Sequence, residues 1–227
     1  MKPEIILALD VDSLKKANYL INKLYPIIKN FKVGSQLFTA CGPKVIDIIN
    51  KKGASVFLDL KFFDIPNTVA HAVRNATRRK VKMMTLHIFG DEEMIKAAVS
   101  SSRDEAKKLR IKKPLLIGVT VLTSKEAKSS DVLTLARMGI ESGLDGVVCS
   151  AQEARMLREE INKKFIIVTP GIRARGGLAN DQRRTATVRE AVKAGSNFLV
   201  VGRPILESKD QKAAAREMSG EIDDRRN

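Results

Sequence analysis

The amino-acid sequence predicts an α/β protein folded as a single-domain (β/α)8 TIM barrel, and three observations carry that expectation. Short β-branched apolar runs alternate eight times with amphipathic helical stretches along 227 residues. A chain of that length can bury one sizeable core. Polar or charged residues close nearly every apolar run at its C-terminal end, the rim on which active sites of such barrels sit. An open doubly wound sheet would normally show a Gly-rich turn after its first strand. Here that position reads Leu9-Asp10-Val11-Asp12-Ser13.

Taken in order, strands are expected at residues 5–10, 31–34, 55–61, 83–87, 115–123, 146–150, 165–169 and 198–202, each an apolar run of strand length. Helical patterns fill the intervals at 13–24, 44–51, 66–80, 92–109, 131–142, 152–161 and 187–194, and a charged terminal helix is expected from about 204. Pro66 suits the first turn of the helix it opens. The strand ends read Asp10, Lys32, Asp59 with Lys61, His87, Thr123, Ser150, Thr169 and Gly202-Arg203, a polar rim. His87 fits either a site-lining group or a satisfied barrel histidine, His71 a helix surface, Cys149 the core and Ser150 a helix cap.

Residues 59–68, Asp-Leu-Lys-Phe-Phe-Asp-Ile-Pro-Asn-Thr, hold the densest chemistry. On a regular strand Asp59 and Lys61 share a face roughly 6–7 Å apart, with Asp64 just beyond. Charges on an apolar strand are costly to bury unless they pair. A structural ion pair at a strand end is one use of such a triplet; a catalytic lysine flanked by carboxylates is the other.

Composition narrows the partners. No apolar run approaches the ~20 residues of a membrane span, and the run at residues 5–9 is too short and too soon acidic for a secretory signal. Two separated cysteines imply no disulfide framework and a cytoplasmic setting, and with two histidines they make no zinc site, so a metal-free protein is expected. The net charge of +15, from 41 basic and 26 acidic residues, favours anionic partners. Its clusters at 78–82 and 107–113 fall at helix ends, where cations suit the helix dipole. With 4% aromatics and no tryptophan there is little for base stacking. Composition alone therefore reads the excess as solvated surface, with weak nucleic-acid adhesion as a side effect.

Two segments suit an anion. Val200-Val201-Gly202-Arg203-Pro204 closes the last strand with a glycine N–H and an arginine, where barrels frequently hold phosphate. Residues 171–184 are Gly-rich and basic without apolar periodicity, and a loop that long in a compact chain reads as a lid. Arg173 and Gln182 would ride on it.

On these residues the chain resembles the orotidine 5′-phosphate decarboxylase family over essentially its whole length. The decapeptide at 59–68 is the most specific match. Supporting motifs are Leu7-Ala8-Leu9-Asp10, Phe31-Lys32-Val33-Gly34, Val119-Thr120-Val121-Leu122-Thr123-Ser124, Thr169-Pro170-Gly171-Ile172-Arg173, Asp181-Gln182-Arg183-Arg184 and Val201-Gly202-Arg203-Pro204. The resemblance implies cofactor-free decarboxylation of orotidine 5′-phosphate to UMP in pyrimidine biosynthesis. Lys61 would be the proton donor in a Lys32–Asp59–Lys61–Asp64 array. Asp10 and Lys32 would hold the ribose hydroxyls, Thr123 the pyrimidine, and Arg173, Gln182, Gly202 and Arg203 the 5′-phosphate. Asp64 and Thr68 would reach into a partner subunit's site, implying a homodimer with shared sites, and neither nucleic acid nor membrane as partner.

The chain departs from the family pattern at three places. Phe63 stands where many relatives carry histidine, His87-Ile88-Phe89-Gly90-Asp91 replaces a small, Gly-rich turn, and Val188 stands where proline is usual. Rivals are a Mg²⁺-dependent sugar-phosphate lyase of the same barrel superfamily, which shares the Asp-x-Lys-x-x-Asp spacing, and a catalytically silent nucleic-acid-binding barrel.

Overall fold

The computed structural model describes residues 1–122, 128–173 and 185–223. Eight parallel strands close a barrel in the order β1-β10-β7-β6-β5-β4-β3-β2. They are β1 (Glu4–Ala8), β2 (Asn30–Gly34), β3 (Ser55–Phe62), β4 (Met83–His87), β5 (Leu115–Val119), β6 (Gly146–Val148), β7 (Ile166–Thr169) and β10 (Phe198–Val201). A separate two-residue pair, β8 (Ile172–Arg173) with β9 (Ala186–Thr187), lies between the last two barrel strands in sequence. The helices are α1 (Leu14–Leu24), α2 (Ser35–Cys41), α3 (Lys44–Lys51), α4 (Pro66–Arg78), α5 (Asp91–Leu109), α6 (Ser129–Glu141), α7 (Ala151–Glu160), α8 (Val188–Lys193), α9 (Arg203–Leu206) and α10 (Gln211–Asp223).

The strands are continuous apolar runs because both of their faces are covered. One face packs on the helices through residues such as Leu7, Phe31, Leu58 and Val201. The other fills the barrel with Ile6, Phe57, Met83, Ile117, Val168 and Phe198. The N-terminal end is stoppered by Lys82, whose Nζ lies 5.0 Å from the Phe198 ring centroid and donates to Asn30 Oδ1 at 2.8 Å and Glu4 Oε2 at 3.3 Å. With that end closed, the opposite end is left for chemistry.

Several boundaries differ from the sequence expectation. β1, β5 and β6 stop two to four residues early, so Asp10 and Ser150 lie in the following loops. Ser150 forms a reciprocal capping box with Glu153 at the start of α7, and Cys149 is buried, as expected of each. The short helix α2 was not expected; seven residues between glycines give too little periodicity to register. The terminal helix divides, because Asp210 Oδ1 accepts from the N–H groups of Lys212 and Ala213 and caps a fresh start for α10. Ile88, one of the departures from the family pattern, is fully buried and fills space that glycines leave open. A Cβ on Gly118 or Gly139 would come within 2.6 or 2.9 Å of it. Val188 opens α8 behind a Thr187–Glu190 capping box, a position that proline also suits.

The turns at the N-terminal end of the barrel show an asymmetry. After α3, α6 and α8 the chain reverses through Gly53, Gly143 and Gly195 with φ of 80°, 102° and 94°, as helix C-termini commonly do. After α4 and α5 the left-handed residues are instead Lys80 (φ 55°) and Arg110 (φ 53°). A side chain there costs roughly 1–2 kcal/mol that glycine would not.

Candidate active site

Four charged side chains from three neighbouring strands meet at the open end. Lys32 Nζ stands 3.2 Å from Asp10 Oδ1 and 3.6 Å from Asp59 Oδ2, and Lys61 Nζ donates to Asp59 Oδ1 at 2.8 Å. Asp59 is thus shared between two ammonium groups. Lys32 needs a gap above it on its own strand, and Gly34 leaves one: a Cβ there would lie 2.9 Å from Lys32 Nζ.

The regular strand expected at 59–61 is not what brings Asp59 and Lys61 together. Leu58 pairs with Met84 and Phe62 with Leu86, so β3 spends two more residues than β4 across the same interval. This bulge puts Lys61 in the left-handed region at φ 52°. Bulges beside active sites re-aim side chains, and strained backbone of this kind persists where its surroundings hold it.

What holds it is Thr85, which sequence reasoning missed. Its hydroxyl accepts from Lys61 N–H at 2.9 Å and donates to Asp59 Oδ1 at 3.0 Å, while the residue is fully buried. A lone threonine inside an apolar strand carries no sequence signal; only the register shift reveals its job. Burial alone would raise the Asp59 carboxyl. The charges of Lys32 and Lys61 and the hydrogen bonds from Lys61 and Thr85 outweigh it, holding the group below the usual carboxylate range. His87 lies beside the array, its ring 5.8 Å from that of Phe63 in an edge-on contact. Burial, then the Lys61 charge, push its imidazole below the ordinary value, against the pull of Asp59, which favours the neutral form at pH 7. His71 is exposed, as expected.

The array forms one wall of a cavity of about 270 Å³, with Arg173, Gly202 and Arg203 on its lining and Val119, Val148, Val168 and Val200 among its apolar residues. The charged array and the two arginines therefore share one chamber. Asp64 and Thr68 do not line it; with Lys61 they edge a separate shallow depression, and Asp64 Oδ1 accepts from the N–H of Ile65 instead. Of the expected Lys32–Asp59–Lys61–Asp64 array, one chain brings together Lys32, Asp59 and Lys61, with Asp10 as the fourth charge. Thr123 and Gln182, with most of the expected lid, lie outside the described residues. Among the described residues no three His, Cys, Asp or Glu side chains cluster so as to hold a metal ion, and no helix is long and apolar enough to cross a membrane.

A closed parallel barrel with an ion array and arginines at the C-terminal ends of its strands defines a (β/α)8 barrel with a charged cavity at the rim where such barrels carry their sites. The chain matches the model of the Orotidine 5′-phosphate decarboxylase / HUMPS family over residues 3–218, and it belongs to that family. It is 42% identical to the orotidine 5′-phosphate decarboxylase of Moorella thermoacetica, over 98% of this chain and 93% of the relative. The enzyme of the same name from Syntrophomonas wolfei is 44% identical, over 97% and 98% of the two chains. The crystal structure of orotidine 5′-phosphate decarboxylase from Lactobacillus acidophilus superposes with a TM-score of 0.85 at 35% identity. It covers 97% of this chain and 99% of that one.

Proposed function

We propose that this chain converts orotidine 5′-phosphate to UMP without a cofactor, with Lys61 as proton donor. The observation that carries the reading is the bulge in β3, which sets Lys61 against Asp59 in the same cavity as Arg173 and Arg203. Loss of CO₂ from C6 of the pyrimidine leaves an electron pair that no π-system delocalises. The Lys61 ammonium stabilises that charge as it develops and then protonates the carbon. Asp59, ionised beside it, orients the ammonium and faces the departing carboxylate. Asp10 and Lys32 hold the ribose hydroxyls, Thr123 contacts the pyrimidine, and Gly202, Arg203, Arg173 and Gln182 take the 5′-phosphate. Residues 171–184 act as the lid over it.

The working form in this proposal is a homodimer. Asp64 and Thr68 are not among the residues lining their own chain's cavity, and large apolar side chains stand exposed on the same rim, with Phe63 61%, Ile65 67% and Phe89 59% exposed. A second copy covering that rim would bury them and bring its Asp64 to the neighbouring Lys61.

The direct test is the fall in ultraviolet absorbance of orotidine 5′-phosphate on adding purified protein, with and without EDTA. Conversion to UMP unaffected by EDTA supports the reading; no conversion, or a strict need for Mg²⁺, would transfer the chain to the sugar-phosphate lyases. Two substitutions examine the residues. Arg203→Ala removes a charged partner of a phosphate remote from the reacting carbon, so kcat/KM should drop roughly 10- to 100-fold. An unchanged kcat/KM would reject its role. Thr85→Val keeps the volume but deletes both hydrogen bonds. It should lower kcat about 10- to 100-fold with KM little moved, while Thr85→Ser retains most of the rate. A valine variant turning over at the parent rate would remove Thr85 from the mechanism.

A further inference from the structure

Nine of the chain's 41 cations stand together at one end of the barrel. Lys29 precedes β2, and Lys51-Lys52 precede β3. Arg79-Lys80-Val81-Lys82 lead into β4, and Arg110-Ile111-Lys112-Lys113 into β5. These four strands are neighbours in the barrel, so their entrances form a continuous arc. All of these cations except Lys82 and Lys113 are exposed, and no acid occurs within the four stretches. Lys82, Lys113 and Arg79 pair with Glu4, Asp145 and Asp47 from outside the arc. The helix C-termini at this end supply only about half a negative charge each, too little to account for the excess.

Backbone geometry gives a second, independent indication. Three other turns at this end, among them Gly53 at the entrance of β3, take glycine at the left-handed position, whereas the two leading into β4 and β5 place Lys80 and Arg110 there, at a cost in strain. Cations sit where glycine would fold more comfortably.

We propose that this arc binds the phosphate backbone of nucleic acid without reading its sequence. Of the exposed large apolar side chains among the described residues, Leu109 borders the arc and Met1 stands beside the start of β5, and neither is aromatic. A protein partner would want an apolar, aromatic centre, and a membrane surface would want apolar side chains to insert. Exposed lysines and arginines on adjacent turns suit phosphates alone. The arc lies at the end of the barrel opposite the cavity, so decarboxylation would proceed with it occupied.

The test is fluorescence anisotropy of the full chain with a labelled RNA duplex of arbitrary sequence, over a range of NaCl concentrations, for the parent and the double variant Lys80→Gly/Arg110→Gly. The parent should bind with log K falling linearly in log salt. The double variant should lower that slope by about two and the affinity about tenfold at moderate salt, with catalytic activity unchanged. Because glycine relieves the left-handed strain, the variant should melt at or above the parent temperature, which separates lost binding from lost folding. Three results would each overturn the proposal: no binding by the parent at low salt, equal binding by the double variant, or capture of phosphatidylserine vesicles without capture of RNA.

Discussion

Replacing Lys61 with alanine should lower kcat for orotidine 5′-phosphate by at least about 10⁴-fold, since one side chain supplies both general-acid and electrostatic catalysis. That corresponds to roughly 5.5 kcal/mol of transition-state stabilisation. The fold should survive for a local reason. Asp59 keeps Lys32 at 3.6 Å and the Thr85 hydroxyl at 3.0 Å, so truncating Lys61 does not orphan a buried charge. Alanine also keeps a Cβ at φ 52°, so the backbone strain of the bulge stays about where it was. The measurement is single-turnover decarboxylation, with circular dichroism and oligomeric mass as controls. A folded variant within a hundredfold of the parent rate would show that the proton comes from elsewhere.

Legibility in the sequence was uneven, and the unevenness has physical causes. Every barrel strand could be placed because parallel strands buried on both faces must be apolar throughout, and nothing in the connecting helices imitates that. The charges of Asp10, Lys32, Asp59 and Lys61 were visible because each interrupts or ends such a run. Their geometry was not. Simple alternation puts Asp59 and Lys61 on one face of a straight strand, while the observed contact depends on a two-residue bulge that only the partner strand's register exposes. Thr85 and Gly34 stayed hidden for a related reason: one is a single hydroxyl in a core strand whose partners are distant in sequence, the other an absent side chain beside Lys32 on the same strand face. The charge excess was legible as a number, but the meeting of nine cations at the entrances of β2 to β5 depends on the barrel bringing four separate turns together.

Mixing two inactive proteins should restore activity if the sites are shared. Asp64→Ala, like Lys61→Ala, is expected to be nearly inactive alone, because each homodimer lacks the same member from both of its sites. In a mixed dimer the subunit carrying Asp64→Ala contributes an intact Lys61, and its partner contributes an intact Asp64 to that same site. One complete site is rebuilt and the other loses both residues. Random exchange makes half of the dimers mixed, each with one working site, so activity should recover to about a quarter of the parent per subunit. The placement of Asp64 motivates the experiment: it borders a depression outside its own cavity and spends Oδ1 on the Ile65 N–H, with Phe63 and Ile65 exposed on either side. Refolding the two variants together, against each refolded alone, reads the effect directly. No recovery after demonstrated subunit exchange would mean that Asp64 serves its own chain, and the shared-site dimer would have to be given up.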